Sequence, residues 1–329
     1  MSCTPFLVPR LFSVKGLVAV VTGGGTGIGL MATQALAANG AKVYIVGRRK
    51  EALDNVVKHY SDVEGKIIPL QGDVTKKDDL KRIVDQIKKE DEGIHILVNN
   101  AGIVGEVTQV GEEASAKELR DKFWEGQTFE GWDSVFRTNV SSVFFTTAAF
   151  LPLLQKYTFG GDAAGKAIYN KYETGVITIS SISGLLKISQ KYAPDPTCIS
   201  VLLARIPDVL WLASSFCSRS HFAYNSSKGA TIHLNRMMSQ EWAHTGIRFN
   251  TIAPGMFPSE MTTTGSDEKQ KSSLKGFNPK SMLIPAERAG EDEDLGGTIL
   301  YLSSRAGQYT SGVVLPVDGA TLATNPSAY

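Results

Sequence analysis

The chain has 329 residues, 42% hydrophobic and 20% charged, which is enough to bury a large core and is not the composition of a disordered segment. Thirty-four Lys and Arg against 33 Asp and Glu leave a net charge of +1, so no basic field points to nucleic acid or to an anionic membrane. Its three cysteines (Cys3, Cys198, Cys217) form neither a disulfide framework nor a metal-ligand spacing, and residues 1–15 lack the charged start and apolar core of a signal peptide; a cytoplasmic chain without a metal site is expected.

Residues 1–13 read as a tail. Residues 17–21 are a short, β-branched apolar run, the pattern of a buried strand. They lead into Thr22-Gly23-Gly24-Gly25-Thr26-Gly27-Ile28-Gly29, and a helix is expected over 30–38, stopping at Asn39-Gly40. Strand, glycine turn and helix together make a phosphate cradle: glycines let a pyrophosphate approach the backbone, and the helix N-terminus offers unpaired N–H groups. The spacing is G-x-x-x-G-x-G at Gly23, Gly27 and Gly29 rather than G-x-G-x-x-G.

A second strand, 42–47, ends at Arg48-Arg49-Lys50, where a dinucleotide fold usually carries an acid for the adenosine ribose. Cations there suit a 2′-phosphate instead, so NADP(H) is expected over NAD(H), with Arg48 and Arg49 as its contacts. A helix follows over 51–60. The third strand, 66–70, runs to Gly72-Asp73-Val74, and a helix over 76–90 shows Leu80, Ile83, Val84 and Ile87 at helical spacing. The fourth strand, 94–98, closes in Asn99-Asn100-Ala101-Gly102. This alternation predicts an α/β fold, a Rossmann-type doubly wound parallel sheet in three α/β/α layers, with ligands at the strands' carboxyl ends.

On these motifs, 22–29, Asp73 and 99–102, the chain resembles the short-chain dehydrogenase/reductase family in its shorter, single-domain branch, over residues 14–320. The resemblance implies that Asp73 and Val74 face the adenine, and that the turn at Asn100, Ala101 and Gly102 stabilises the central sheet. Residues 103–131 read as a polar connection and 132–157 as a helix containing Asn139, an unremarkable residue on propensity alone. In the family an asparagine here bends the helix and holds a water of a proton relay. Residues 158–174 form a linker longer than the fold needs.

The fifth strand, 176–181, carries Ser180 and Ser181, and Tyr224 and Lys228 open a helix over 224–242. Tyr and Lys at i and i+4 share one helical face, and a neighbouring ammonium favours a tyrosinate. By resemblance Tyr224 is the general acid/base, Ser181 holds the substrate oxygen, and Lys228 lowers the tyrosine pKa and binds the nicotinamide ribose. Asn139 completes the relay. Ser180 is the neighbouring candidate for the serine role. A sixth strand, 246–253, ends in Pro254-Gly255, and the loop that follows resembles one closing over nicotinamide, with Ser259 or Thr262 at the amide. A substrate lid is expected at about 256–285, mobile over 265–285. A helix over 291–304 and the run 313–319 complete the pattern, with Ala320 where a second glycine is common; 321–329 is set apart as a tail.

One stretch departs from the family. Ser181 and Tyr224 stand 43 positions apart; the family separates them by about a dozen, a normal loop. The excess, 191–220, is apolar over 198–217 but broken by Arg205, Pro207 and Asp208, which excludes a membrane span. It reads as a greasy substrate lid or, the reading we favour, as translated intron whose removal joins Gln190 to His221.

The sequence thus predicts an NADP(H)-dependent oxidoreductase acting on a small ketone or secondary alcohol, most similar to 3-oxoacyl-carrier-protein reductases and reductases of secondary metabolism. Alternatives are a sugar, polyol or steroid dehydrogenase, or a catalytically silent NADP-binding protein. By resemblance it assembles as a homodimer or homotetramer.

Overall fold

The apolar runs become seven strands of one sheet in a computed structural model of the protein, which describes residues 3–110, 114–158, 174–187, 218–263, 265–274, 277–279 and 284–327. The strands are β1 (Val18–Thr22), β2 (Lys42–Gly47), β3 (Lys66–Gln71), β4 (Ile96–Asn99), β5 (Gly175–Ile179), β6 (Arg248–Pro254) and β7 (Val314–Val317). Their order across the sheet is β3-β2-β1-β4-β5-β6-β7, and every neighbouring pair is parallel. Parallel neighbours need crossovers, and the main ones are the helices α1 (Gly27–Ala38), α2 (Lys50–Tyr60), α3 (Lys77–Ile87), α4 (Ser142–Gln155), α5 (Phe222–Glu241) and α6 (Asp292–Ser303). The strand order reverses between β1 and β4, which leaves a crevice at their carboxyl ends.

Period-two alternation divides the strand residues between two layers. Ala19, Val21, Val43 and Ile45 pack with Leu30, Leu36, Leu53 and Leu295 of α1, α2 and α6. Val18, Val20, Tyr44 and Leu97 face the other way, onto Ile83, Phe150, Leu153 and Met238 of α3, α4 and α5. Strands covered on both faces read as continuous apolar runs, which is why β1 is buried along its whole length. Each of the buried Val, Leu, Ile, Phe and Met side chains contributes about 1.5–3 kcal/mol by leaving water.

Four stretches differ from the sequence reading or extend it. The polar connection 103–131 holds a helix, Ala116–Gly126, started by a capping box in which Ser115 and Glu118 bond each other's backbone N–H. It also holds a strand, Thr108–Val110, paired antiparallel with Ser218–Ser220. That partner strand is the end of the atypical segment; residues 191–217 of the proposed lid or intron, like 159–173 of the linker, lie outside the described residues.

Within the expected lid, residues 265–274 run along the α1–α2–α6 layer. The Tyr60 hydroxyl donates to the Lys269 carbonyl (2.8 Å), and the Lys271 ammonium donates to Gln34 Oε1 (2.6 Å) and pairs with Asp292. The residues set apart as a C-terminal tail are docked: Leu322 is buried with Ile182, Leu185, Ile232 and Ala253, and the Lys187 N–H donates to the Pro326 carbonyl at 2.9 Å. One leucine in a short segment shows no period, so its burial leaves no trace in the sequence pattern. Ala320 has φ +69°, the left-handed region that favours glycine.

Candidate active site

The glycine turn is tight enough to explain its composition. Gly23 and Gly27 have φ of +65° and +51°. A Cβ on Gly23 would lie 2.8 Å from Asn100 Nδ2, one on Gly27 2.9 Å from Ser259 Cβ, and one on Gly29 2.1 Å from the Gly23 carbonyl oxygen. Helix α1 begins at Gly27, three residues before the start read from the sequence, because glycines carry no apolar period. Thr26 is its extended N-cap, with no side-chain capping bond, and the first helical bond runs from the Leu30 N–H to the Thr26 carbonyl (3.1 Å). The N–H groups of Gly27, Ile28 and Gly29 therefore precede the helical ladder at the positive end of the helix.

The Asn99–Gly102 turn is fastened to the end of β1. The Thr22 hydroxyl accepts from the N–H of Asn100 (2.9 Å) and Ala101 (3.2 Å), and donates to the Val98 carbonyl (3.3 Å). The Asn100 amide donates to the carbonyls of Thr22 (2.9 Å) and Gly23 (3.2 Å), and Asn99 Nδ2 donates to Thr147 Oγ1 (2.8 Å). At the end of β3, Asp73 Oδ1 accepts from the Thr75 N–H (2.9 Å) and hydroxyl (2.7 Å). Burial works to raise the Asp73 pKa, but these two bonds and the charges of Arg48 and Lys76 outweigh it and hold the carboxyl below its ordinary value. Arg49 reaches across to Glu260 in the loop after β6.

At the other end, Asn139 sits in a turn of π-helix, Arg137–Ser141, inserted between the helix Phe129–Phe136 and α4. Its Oδ1 accepts from the Ile103 N–H (2.8 Å), and its Nδ2 donates to the Ile103 carbonyl (2.9 Å) and to Ser227 Oγ (2.9 Å). The Asn139 carbonyl accepts from the Thr231 hydroxyl (2.9 Å), tying this turn to α5. Lys228 is 4% exposed; its ammonium donates to the Ile179 carbonyl (3.0 Å) and lies 5.7 Å from the Tyr224 ring centroid. Burial pushes the Lys228 pKa down to about 8. Ser180 Oγ donates to the Lys228 carbonyl (2.9 Å), whereas Ser181 Oγ accepts from the Ser183 N–H (3.1 Å) and donates to Ser183 Oγ (3.1 Å).

A cavity of about 920 Å³ joins the two ends. Among the residues singled out from the sequence, Gly23, Gly25, Thr26, Gly27, Ile28, Arg48, Arg49, Asp73, Val74, Asn100, Ala101, Gly102, Tyr224, Lys228, Ser259 and Thr262 line it. Thr22, Gly29, Asn139, Ser181, Pro254 and Gly255 are not among the residues that line it. Pro254 ends β6, and the Gly255 N–H donates to the Val317 carbonyl (2.9 Å), with no room for a Cβ against Asp318. Ser180, weighed as an alternative to Ser181, is the serine on the wall.

Sequence reasoning passed over His221, Thr75, Glu260 and Met261, which also line the cavity. Glu260 follows Ser259 directly, and its opposite charge to Arg49 was the one signal available. Among the described residues there is no group of three or more His, Cys, Asp or Glu able to hold a metal, and no helix long and apolar enough to cross a membrane.

Comparison with known proteins matches residues 17–192 to the family described as short chain dehydrogenase, and residues 208–320 to one described as enoyl-(acyl carrier protein) reductase. The break between the two falls in the atypical segment. The chain is 39% identical over 330 residues to short-chain dehydrogenase/reductase PhomF of Diaporthe leptostromiformis, covering 100% of this chain and 99% of that protein. It is 29% identical over 308 residues to the rhamnolipids biosynthesis 3-oxoacyl-(acyl-carrier-protein) reductase of Pseudomonas aeruginosa, covering 94% and 97%. The solved Pseudomonas aeruginosa RhlG/NADP active-site complex superposes with a TM-score of 0.68 at 28% identity, over 95% of this chain and 98% of that one.

Proposed function

The chain belongs to the short-chain dehydrogenase/reductase family of oxidoreductases, which bind a nicotinamide cofactor, and from that premise we propose an NADP(H)-dependent reductase of ketones. The observation that carries the reading is the one cavity that spans the glycine turn and the Tyr224–Lys228 pair. The residues suit a dinucleotide: a turn that a single Cβ would block, N–H groups ahead of a helical ladder, and Arg48 and Arg49 beside a 2′-phosphate position. When bound, the cofactor supplies or accepts the hydride.

In this reading Gly27, Ile28 and Gly29 hold the pyrophosphate, Asp73 and Val74 the adenine, and Lys228 the nicotinamide ribose. Tyr224 donates its hydroxyl proton to the carbonyl oxygen in reduction and takes it back in oxidation. The Lys228 ammonium stabilises the tyrosinate left behind, and Ser181 donates a hydrogen bond to the substrate oxygen as negative charge develops there. Asn139 fixes the turn that carries the proton relay.

The substrate class we favour is a 3-oxoacyl thioester or a secondary-metabolite ketone, supported by the likeness to the Pseudomonas aeruginosa 3-oxoacyl reductase. NADPH oxidation with a panel of ketones and β-ketoesters tests it. The second reading is a silent NADP-binding protein, which the extra segment between Ser181 and Tyr224 favours; NADPH binding without turnover of any carbonyl would select it. Assembly as a homodimer or homotetramer is proposed through α4 and α5, where Phe144, Phe145 and Met237 are exposed.

A further inference from the structure

Arg49 and Glu260 meet fork to fork across the mouth of the cavity. Arg49 Nη1 donates to Glu260 Oε1 at 3.1 Å and Nη2 to Oε2 at 2.6 Å, a bidentate pair between residues 211 positions apart. The same carboxylate accepts from the Thr26 hydroxyl (3.4 Å), and all three residues line the cavity. The loop bearing Glu260 lies directly on the phosphate turn, since a Cβ on Gly27 would stand 2.9 Å from Ser259 Cβ. Of the two arginines at this corner, Arg48 is close enough to Asp73 to lower its pKa, and Arg49 is the one held by the loop.

Resting on the NADP(H) reading above, we infer that Glu260 sets cofactor specificity by competing with a 2′-phosphate for Arg49. A guanidinium presents one such bidentate edge to one anion at a time. A dinucleotide lacking the 2′-phosphate leaves the Arg49–Glu260 pair intact, with the loop strapped to the glycine turn. A 2′-phosphate that takes this Nη1–Nη2 edge displaces Glu260 from it, and the released carboxylate then faces the phosphate as a like charge. The preference for NADP(H) that Arg48 and Arg49 create is thereby compressed. Arg49 is 61% and Glu260 31% exposed, so the competition is worth a modest factor rather than a switch.

The test is a fluorescence titration of NADPH and NADH on the full chain and on its E260Q, R49Q and R49Q/E260Q variants, read as dissociation constants without turnover. E260Q is expected to tighten NADPH by about three- to tenfold and to leave NADH within about twofold, widening the ratio. On the R49Q background the E260Q change leaves the ratio unmoved. Equal tightening of both dinucleotides, or the same ratio shift without Arg49, overturns the inference, because Glu260 would then act as general repulsion. Binding of neither dinucleotide by the unmodified chain overturns the NADP(H) reading itself, and the inference with it.

Discussion

Gly29 and Gly23 touch backbone to backbone: a Cβ on Gly29 would sit 2.1 Å from the Gly23 carbonyl oxygen and 2.5 Å from Asn100 Nδ2. The obstructing atoms are main chain and a fastened amide, so the turn itself has to open. G29A is therefore expected to weaken NADPH binding at least tenfold and to cost about 1–3 kcal/mol of stability by overpacking. Titration and thermal unfolding of the same variant check both; an unchanged dissociation constant would mean the turn does not shape the phosphate site.

The two serines at the end of β5 separate by their bonds. Ser180 straps the strand to α5 through the Lys228 carbonyl, and Ser181 is the residue proposed to meet the substrate oxygen. S181A is expected to lower kcat by about 10²–10³, beyond the loss of about 0.5–1.5 kcal/mol of stability that follows from removing its bonds to Ser183. S180A is expected to lower stability by about 0.5–1.5 kcal/mol, the worth of one buried hydrogen bond, while kcat stays within about threefold. The reverse pattern assigns the substrate contact to Ser180.

Lys228 gives activity and stability opposite pH trends. Its pKa is pushed from 10.5 down to about 8 by burial. In the proposed mechanism reduction uses the ammonium, so activity is expected to fall as pH rises through about 8. Between 8 and 10.5 the unfolded chain keeps a proton that the native chain has lost, so this group's contribution to stability rises with pH over that window. Rate and unfolding profiles on the unmodified chain and on K228M check it: the variant loses the alkaline rise in stability and most of the activity.

Ala320 is a stored cost of sequence. At φ +69° it occupies a conformation that glycine adopts without penalty. A320G should raise stability by about 0.5–1 kcal/mol, read as an increase in Tm without a change in kcat.

The sheet was legible because β1, β4, β5 and β6 are buried along their whole length as apolar runs, and because glycine, asparagine or proline stands at the carboxyl end of most strands. The tight turn after β1 was legible too: Gly23, Gly27 and Gly29 are a steric requirement written in composition. Other features were not. The Phe129–Phe136 helix, the π turn and α4 run on continuously, and a π turn has the composition of an α-helix, so Asn139 carried weight only through resemblance. The Arg49–Glu260 pair joins distant segments, and pairing at that range leaves no periodic signal. Leu322 is buried by contacts with Ile182 and Leu185, which no local pattern announces. The Ser181–Tyr224 spacing announced an anomaly without revealing that its last residues, Ser218–Ser220, pair with Thr108–Val110.

The most direct measurement is NADPH oxidation by the full chain and by Y224F, across ketones and β-ketoesters, beside NADPH titration of both. The account predicts turnover of at least one carbonyl by the full chain and a loss of more than about 10²-fold in Y224F, with NADPH affinity preserved. Tight NADPH binding without turnover by the full chain, or full activity in Y224F, would contradict it.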